Sequence, residues 1–345
     1  MPNFKHLATL VASFGYFPQL LAESNINKKS GENKMKILFM GTPDIAMECL
    51  AALYDAGEEI VAVVTQPDKP KGRGYVLTPP PVKVYAMERN IPVYQPTTLR
   101  DEAFAELLAE IDPELIAVVA YGKILPKNVL DYPKYGCINV HASLLPKYRG
   151  AAPIQRVIID GEAVTGVTTM YMAEGLDTGD MLLKSYINIE ENDNFETLHD
   201  KMASVGAKTL VDTVNAIKEG KLNPEPQNDA EANYAAKIEK SDCKIDFSVS
   251  AREVHNRIRG LSPIPLSFTH TPDGKLLKVV AAKMGDKNKG GNHTPGEVIS
   301  LDGGIEVACG NGSVVLLTVV PEGKGKMGAA DFIRGRKVTL GDILS

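Results

Sequence analysis

The stretch MKILFMGTPDIAMECLAALYDAGEEIVAVVTQ, residues 35–66, decides the fold, because it reads as a strand, a helix and a second strand. The apolar run KILFMG ends at Gly41, apolar residues then recur at helical spacing, and EIVAVVTQ is a second apolar run. Thr42 can cap the helix, and Pro43 suits its first turn. A dinucleotide enzyme would carry GxGxxG here, but GTPD has only one of those glycines, so we favour a tight turn with a helix cap over phosphate binding.

The alternation of strands and helices continues to about residue 220. IPVYQP, LIAVVAYG, GCINVHAS, TGVTTMYM and MLLKSYINI are predicted strands, and LRDEAFAELLAEIDP and residues 194–219 are predicted helices. Near-continuous apolar strands between helices predict an α/β fold, in which helices cover both faces of a mostly parallel sheet. Residues 221–240 read as a linker. One more helix and a series of short β runs over residues 241–345 then suggest a small barrel or sandwich.

The bulk composition is that of a folded chain with about two domains. Of the 345 residues, 44% are hydrophobic and 23% are charged, and the net charge of -5 does not exclude a local basic site for nucleic acid. Four cysteines are widely spaced without a CxxC pair, which indicates reduced thiols and neither a zinc site nor a disulfide framework. No apolar run reaches the roughly 18 to 20 residues that a membrane span needs, so we expect a cytoplasmic protein with no membrane partner.

Residues 1–34 differ from the rest of the chain. LATLVASFGYFPQLLA is moderately apolar and precedes a polar stretch. A weak signal peptide is one interpretation, but its basic charge is thin and Pro18 interrupts it. Since Met35 opens a stretch that resembles an ordinary protein start, we expect residues 1–34 to be a disordered leader outside the fold, as an upstream start codon would produce.

Two polar side chains follow one another at the end of a predicted strand. INVHASLLPKYRG, residues 138–150, contains Asn139 and His141, which the two-residue period of a strand puts on one face. Open α/β sheets bind ligands at the carboxyl ends of their strands. On spacing alone, a structural hydrogen-bonded pair is an equally good interpretation. Ser143 is near, but no GxSxG motif surrounds it, so a Ser-His-Asp hydrolase is not indicated.

A second loop supplies carboxylates after another predicted strand. GLDTGD, residues 175–180, holds Asp177 and Asp180 between glycines, where acidic residues are often plain turn formers. An aspartate beside the asparagine and the histidine would complete a polar site that has no nucleophile. Such a site suits acyl transfer between two bound substrates. The amide can donate to a developing oxyanion, and the imidazole can donate or move a proton while the carboxylate holds its charge.

The connection over residues 66–83 is long and basic. It contains Lys69, Lys71, Arg73 and Lys83 against a single aspartate, with glycines between them. A solvated surface loop is the ordinary interpretation of such a segment. A mobile basic loop at the ligand edge of the sheet could also hold phosphates. The basic stretch VVPEGKGKMGAADFIRGRKV near the C-terminus belongs to the predicted barrel, a fold that often binds nucleic acid.

Several segments, in this order and spacing, resemble the methionyl-tRNA formyltransferase family. They are GTPD, TQPDKPKGRG, VVAYGKILP, GCINVHASLLPKYRGAAPIQR, TGVTTMYM and GLDTGDML. The resemblance runs from about Met35 to the C-terminus. The NVHxSLLPxxRGxxP block and the LDTGD loop are shared by enzymes that use 10-formyltetrahydrofolate, and the QPDKPKGRG loop and the KMGAADFIRG segment narrow the likeness to the tRNA enzymes. Ala142 stands where relatives often have Gly or Pro, and we expect little consequence from it.

The resemblance implies a Rossmann-like catalytic domain over residues 35–220 and an OB-like, tRNA-binding β-barrel over residues 241–345. It implies that the formyl group of 10-formyltetrahydrofolate passes to the amine of methionine on initiator tRNA, without a metal. The catalytic trio of the family maps onto Asn139, His141 and Asp177, in which Asp177 would orient His141 directly or through a water.

The same resemblance suggests where the two substrates bind. The folate contacts of the family map onto one turn, which consists of Ser143, Leu144, Leu145 and Pro146. Lys69, Lys71 and Arg73 are then expected to meet the acceptor end of the tRNA. We expect a monomer. The alternatives are a hydrolase or sugar formyltransferase on the same scaffold, and a nucleic-acid-binding module without turnover.

Overall fold

The computed structural model describes residues 34–71, 75–286 and 292–345. The predicted leader therefore lies outside the described residues, apart from Lys34. The strands of the amino-terminal part are β1 (Lys36–Gly41), β2 (Glu59–Val64), β3 (Lys69–Lys71), β4 (Val76–Thr78), β5 (Val93–Tyr94), β6 (Leu115–Val119), β7 (Cys137–His141), β8 (Val164–Tyr171) and β9 (Met181–Asn188). Its helices are α1 (Asp44–Asp55), α2 (Pro81–Glu88), α3 (Glu102–Ile111), α4 (Lys127–Leu130), α5 (Pro153–Ile159) and α6 (Phe195–Lys218).

The main sheet has the strand order β5-β2-β1-β6-β7-β8-β9. The pairs from β5 to β7 are parallel, whereas β7–β8 and β8–β9 are antiparallel, which confirms the mostly parallel sheet. Alternate residues of β1 enter two separate cores. Ile37 and Phe39 pack in the layer that includes α1, α2 and α6, while Leu38 and Met40 pack in the layer that includes α3 and α4. The two-sided helical cover that the sequence predicts is thus present.

The start of α1 differs from the sequence prediction. Its N-cap is Pro43, which makes no side-chain capping bond, so the predicted Thr42 cap is wrong. The Thr42 hydroxyl instead donates to the carbonyl oxygen of Tyr121 (3.3 Å), at the far end of β6. A tertiary partner has replaced the local one, and it ties together the carboxyl ends of two adjacent strands.

The carboxyl-terminal part is an antiparallel sheet with a helix at each end of its sequence. Its elements are α7 (Ala251–Gly260), β10 (Ser267–His270), β11 (Leu276–Met284), β12 (Val298–Ser300), β13 (Ile305–Ala308), β14 (Ser313–Pro321), β15 (Met327–Gly328) and α8 (Ala329–Arg334). The strand order is β10-β11-β14-β13-β12, and β15 pairs with β14. A separate hydrophobic core lies beneath this sheet. The arrangement agrees with the predicted small barrel.

The predicted linker, residues 221–240, packs along the amino-terminal part. Glu225 exchanges backbone hydrogen bonds with Met181 (2.8 and 2.9 Å), and Ala235 is fully buried. After it, Arg156 of α5 donates to the Asp242 carboxylate at 2.8 Å, and α5 packs on α7. The segment therefore joins the two parts and is also fastened to the sheet that carries the predicted site.

Candidate active site

Asn139 and His141 lie on the same face of β7, at the carboxyl edge of the parallel strands. His141 is buried, with 5% of its surface exposed, whereas Asn139 is half-buried. Among the residues that the structure describes, none forms a hydrogen bond with the Asn139 side chain. The interpretation as a structural hydrogen-bonded pair therefore does not fit, because a half-buried amide is left available to a ligand.

The surroundings of His141 assign different roles to its two ring nitrogens. Nε2 lies 2.9 Å from the carbonyl oxygen of Tyr148, which can only accept, so Nε2 carries a hydrogen and donates it. In the neutral ring the other nitrogen, Nδ1, then has a free lone pair. Nδ1 faces Oδ2 of Asp177 at 3.6 Å, which is too long for a hydrogen bond but within the range of a direct ion pair. This arrangement leaves Nδ1 as the ring nitrogen that can accept a proton beside a carboxylate.

Asp177 reaches this position from the loop between β8 and β9. Its backbone has φ 51°, in the left-handed region that non-glycine residues seldom adopt. Its Oδ2 also accepts a 2.8 Å hydrogen bond from the backbone N–H of Gly150. Gly179 permits the tight loop, since a Cβ there would stand 1.9 Å from the carbonyl oxygen of Tyr171. The loop therefore delivers one carboxylate oxygen to both His141 and the turn after β7.

Asp180, the second acid of the GLDTGD loop, is placed differently. Its carbonyl oxygen accepts from the backbone N–H of Tyr171 (2.9 Å), which continues the β8–β9 ladder. Its side chain makes no hydrogen bond or ion pair within the described residues. The structure thus brings Asp177, and not Asp180, beside His141.

The turn over residues 143–146 is braced by Thr168 of the neighbouring strand. The Thr168 hydroxyl donates to the carbonyl oxygen of Ser143 (2.7 Å) and accepts from the backbone N–H of Leu145 (3.1 Å). The Ser143 side chain is buried and donates to the carbonyl oxygen of Lys147 (2.6 Å), and Leu145 is buried in a small apolar cluster. Leu144 and Pro146 remain half-exposed. A ligand at this turn would meet these two side chains and the backbone rather than the other two side chains.

Two exposed apolar side chains near these loops were not predicted as site residues. Ile124, in the loop after β6, is 72% exposed, and Leu176, beside Asp177, is 58% exposed. Because β6 and β7 are parallel neighbours, the loops that follow them lie at the same edge of the sheet. A single apolar residue in a loop forms no periodic pattern, so the sequence did not single out either residue. Ile124 does lie within VVAYGKILP, one of the segments that resemble the family.

The basic connection folds in part as a β-hairpin made by β3 and β4. Lys69 is exposed, Lys71 lies in β3, and Arg73 lies outside the described residues. Lys83 has internal partners, because its ammonium donates to Asp68 (2.8 and 2.9 Å) and to the Gln95 side chain (2.8 Å). Lys83 therefore holds the base of the hairpin and is occupied by internal partners, whereas Lys69 is exposed.

The four cysteine thiols are unsuited to act as nucleophiles. All four cysteines are buried, and burial raises the pKa of Cys49, Cys137 and Cys309 to about 12 each. A thiol with such a pKa is not a thiolate nucleophile at neutral pH. Within the described residues, no group of three or more His, Cys, Asp or Glu side chains could hold a metal ion, and no helix is long and apolar enough to cross a membrane.

Comparison with known families places this geometry in context. Residues 35–214 match the family model for formyl transferase, and residues 237–337 match the model for the formyl transferase C-terminal domain. The methionyl-tRNA formyltransferase of Clostridioides difficile (strain 630) is 49% identical over 311 residues, which cover 90% of this chain and 100% of that protein. The chain belongs to the methionyl-tRNA formyltransferase family. The Bacillus licheniformis methionyl-tRNA formyltransferase is also 49% identical, over 89% of this chain and 96% of its own length.

More distant solved structures share the fold of this methionyl-tRNA formyltransferase family member. HypX from Aquifex aeolicus in complex with tetrahydrofolic acid has a TM-score of 0.61 and 16% identity over 87% of this chain, which spans about half (47%) of HypX. An N-formyltransferase from Helicobacter canadensis, in complex with folinic acid and dTDP-3-aminofucose, has a TM-score of 0.60 and 20% identity, and the match covers 82% of this chain and 98% of that protein. At such identities the likeness concerns the fold alone.

Proposed function

We propose that this chain transfers the formyl group of 10-formyltetrahydrofolate to the α-amino group of methionyl initiator tRNA, giving N-formylmethionyl-tRNA. The observation that carries this proposal is the Asn139 amide, which has no hydrogen-bond partner among the described residues and lies on the same strand face as His141, whose Nδ1 faces Asp177. This group offers a hydrogen-bond donor and a base but no nucleophile. Direct transfer between two bound substrates is the chemistry it suits. The names of the relatives support methionyl-tRNA as the acceptor, and the tetrahydrofolic acid bound by HypX supports a folate as the donor.

Asn139 acts on the formyl oxygen. As the amine attacks the formyl carbon, a C–N bond forms and negative charge develops on that oxygen. The free amide of Asn139 donates a hydrogen bond to it, from a half-buried site where such a bond is stronger than in water. One donor of this kind is worth about 2.7 to 4 kcal/mol in the transition state.

His141 and Asp177 handle the proton of the attacking amine. Nδ1 takes this proton, because the Tyr148 carbonyl holds the hydrogen of the neutral ring on Nε2. The imidazolium that forms faces the Asp177 carboxylate at 3.6 Å, which stabilises the positive charge. When the bond between the formyl carbon and N10 of the folate breaks, the same proton is available to N10. The step is therefore balanced without another acid or base.

The folate subsite that we assign is the turn of Ser143, Leu144, Leu145 and Pro146. Leu144 and Pro146 are half-exposed, and the exposed Ile124 and Leu176 lie on neighbouring loops. These side chains can pack against the flat apolar face of a pterin. The backbone groups of the turn that are not hydrogen-bonded to Thr168 can bind the amide-like edge of the pterin. These features fit a folate at the edge where Asn139 stands.

The tRNA subsite that we assign is the hairpin that carries Lys69, Lys71 and Arg73, together with the barrel. The hairpin follows the carboxyl end of β2, and two parallel strands, β1 and β6, lie between β2 and β7. The barrel presents a group of exposed basic residues near its end: Lys324, Lys326, Arg334, Arg336 and Lys337. Both surfaces suit phosphate contacts.

The proposed domain organisation is a catalytic domain over residues 35–220, a linker over residues 221–240 and a barrel over residues 241–345. One copy of the chain supplies every group named above, so a monomer suffices for the reaction. Translation initiation would place the protein in the cytoplasm.

The experiment that tests the proposal measures formyl transfer from 10-formyltetrahydrofolate to several acceptors. Methionyl initiator tRNA should be formylated, whereas uncharged tRNA, free methionine and dTDP-3-aminofucose should not. Release of formate at the same rate without any acceptor would identify a hydrolase. Binding of tRNA with no transfer to any acceptor would identify a binding module.

A further inference from the structure

The interdomain strap, defined here as residues 225–235, contacts both loops of the proposed active site. It is fastened at one end to Met181, which follows the Asp177 loop. At its other end, Ala235 donates to the carbonyl oxygen of Arg149 (2.7 Å) and accepts from the backbone N–H groups of Ala151 (3.0 Å) and Ala152 (3.1 Å). Between these ends, the Asn233 side chain accepts from the backbone N–H of Tyr148. The strap thus holds the turn after β7.

Gln227 is the strap residue that connects the two loops. Its Nε2 donates to the carbonyl oxygens of Asp177 and Gly179, both at 2.8 Å. Its Oε1 accepts from Nε of Arg149 at 2.9 Å. Both N–H groups of the amide donate and its oxygen accepts, so the side chain is held in one orientation.

Arg149 makes this connection rigid. Its side chain is 3% exposed, and its Nη2 also donates to the exposed Asp229 at 2.8 Å. A buried guanidinium requires hydrogen-bond acceptors, so Gln227 and Asp229 stabilise it together. Arg149 lies between Tyr148, which binds His141, and Gly150, which binds Asp177. Residues 148–150 therefore bind the side chains of both His141 and Asp177, and Gln227 accepts a hydrogen bond from Arg149 at the centre of this tripeptide.

We infer that Gln227 is a positioning residue, which sets the separation between Asp177 and His141. Asp177 adopts φ 51°, and such a conformation costs of order 1 to 3 kcal/mol and persists where the surroundings hold it. Two donated bonds from Gln227 hold the carbonyl groups at and after this residue. Without them the loop can relax, and the 3.6 Å separation from Nδ1 to Oδ2 is free to grow. This inference rests on the proposed function.

The test compares Gln227→Glu with Asp229→Asn in the full-length protein. Gln227→Glu keeps an acceptor for Arg149 but removes the donor to the Asp177 and Gly179 carbonyls, whereas Asp229→Asn alters the other partner of Arg149 and leaves that donor in place. We expect Gln227→Glu to lower kcat for formyl transfer by about 10- to 100-fold, since small misplacements of catalytic groups have effects of that size. KM for both substrates should stay within about twofold of wild type, because no binding group is altered. Asp229→Asn should keep nearly the wild-type kcat.

A second readout does not depend on the identity of the acceptor. The ring-nitrogen NMR signals of His141 should move in Gln227→Glu at Nδ1 and stay in place in Asp229→Asn. If wild type fails to formylate methionyl-tRNA, the proposed function fails, and this measurement still decides the role of Gln227. Unchanged kcat with unchanged ring signals in Gln227→Glu, or equal changes in both variants, would overturn the inference. Should Gln227→Glu not fold, Gln227→Asn keeps the amide but is too short to reach both loops, and the same outcomes apply to it.

Discussion

The backbone N–H of Gly150 donates to Oδ2 of Asp177 at 2.8 Å, although the two residues are 27 positions apart. Gly150 has φ 117°, and a Cβ there would stand 2.9 Å from the carbonyl oxygen of Ala235. The turn after β7 can therefore reach Asp177 only if residue 150 has no side chain.

Gly150→Ala should destabilise the protein and lower turnover, because the added methyl pushes the turn away from Ala235 and removes the bond to Asp177. The matched control is Gly57→Ala. Gly57 also has a positive φ (84°), but a Cβ there would meet nothing within 4 Å, so it should cost only the roughly 1 to 2 kcal/mol of a left-handed residue. Denaturant unfolding and steady-state kinetics measure both variants. Equal losses of stability and normal turnover in both would show that the contact with Ala235 is unimportant.

The basic hairpin should act on the tRNA and not on the folate. Replacing Lys69, Lys71 and Arg73 by Ala should raise the KM for methionyl-tRNA and leave that for 10-formyltetrahydrofolate unchanged. It should also flatten the salt dependence of tRNA binding, since each lost phosphate contact removes a slope of about 0.7 to 0.9 in log K against log salt.

The control for the hairpin variant removes three charges elsewhere. Lys134, Lys208 and Lys221 are exposed and lie outside the hairpin. Their replacement by Ala should leave the salt slope close to that of wild type. If the hairpin variant also keeps the wild-type slope and kinetics, the loop is a solvated one, and the barrel is the main tRNA surface.

Asp242 should contribute a pH-dependent part of the stability. The backbone N–H of Glu239 (3.0 Å) and then the Arg156 guanidinium (2.8 Å) hold the pKa of this carboxyl below its ordinary 3.8. A depressed pKa gives stability that is present above the unfolded-state value and is lost as the pH falls through the folded-state value. Asp242→Asn should therefore lower the Tm at pH 7, and its deficit should shrink below about pH 4.

Thermal melts of Asp242→Asn against pH measure this effect. Asp302→Asn, at an exposed turn residue of the barrel, matches the change in charge and should show little deficit at any pH. A deficit in Asp242→Asn that stays constant from pH 7 to pH 3 would show that the ion pair with Arg156 is not its cause.

The sheet and the polar pair on β7 were predictable from the sequence, because both leave local patterns. Near-continuous apolar runs such as those of β1 and β6 mark buried parallel strands, and a spacing of two puts Asn139 and His141 on one face. The resemblance pointed to Asp177 rather than Asp180, and the structure puts Asp177 beside His141.

The remaining features were not predictable, because they depend on contacts between distant parts of the chain. The linker reads as a polar connection, yet its Gln227 and Asn233 bind residues about 50 to 85 positions away. Helix α2 went unpredicted because it begins within the PPP of residues 79–81, which reads as extended chain. Thr42 has the residue type of a helix cap, but its hydroxyl donates to the carbonyl of Tyr121, which is 79 positions away and cannot be identified from the local sequence.

Replacing any of the three proposed catalytic residues should lower turnover far more than replacing Asp180, which shares the loop of Asp177. Asn139→Ala, His141→Ala and Asp177→Ala should each lower turnover by about 100-fold or more, the cost of one lost transition-state donor. Their folding should survive, because strand-end and loop side chains contribute little to either core. Asp180→Ala is the control, because its side chain forms no hydrogen bond or ion pair with His141 or with any other described residue.

The role of Asn139 in the chemical step can be measured as the single-turnover rate of formyl transfer to methionyl initiator tRNA, at saturating 10-formyltetrahydrofolate, for wild type and Asn139→Ala. This rate reports the chemical step alone, where the free Asn139 amide acts on the developing oxyanion. We expect transfer by wild type and a rate about 100-fold lower in a folded Asn139→Ala variant. No transfer by wild type, or an equal rate in both proteins, would contradict it.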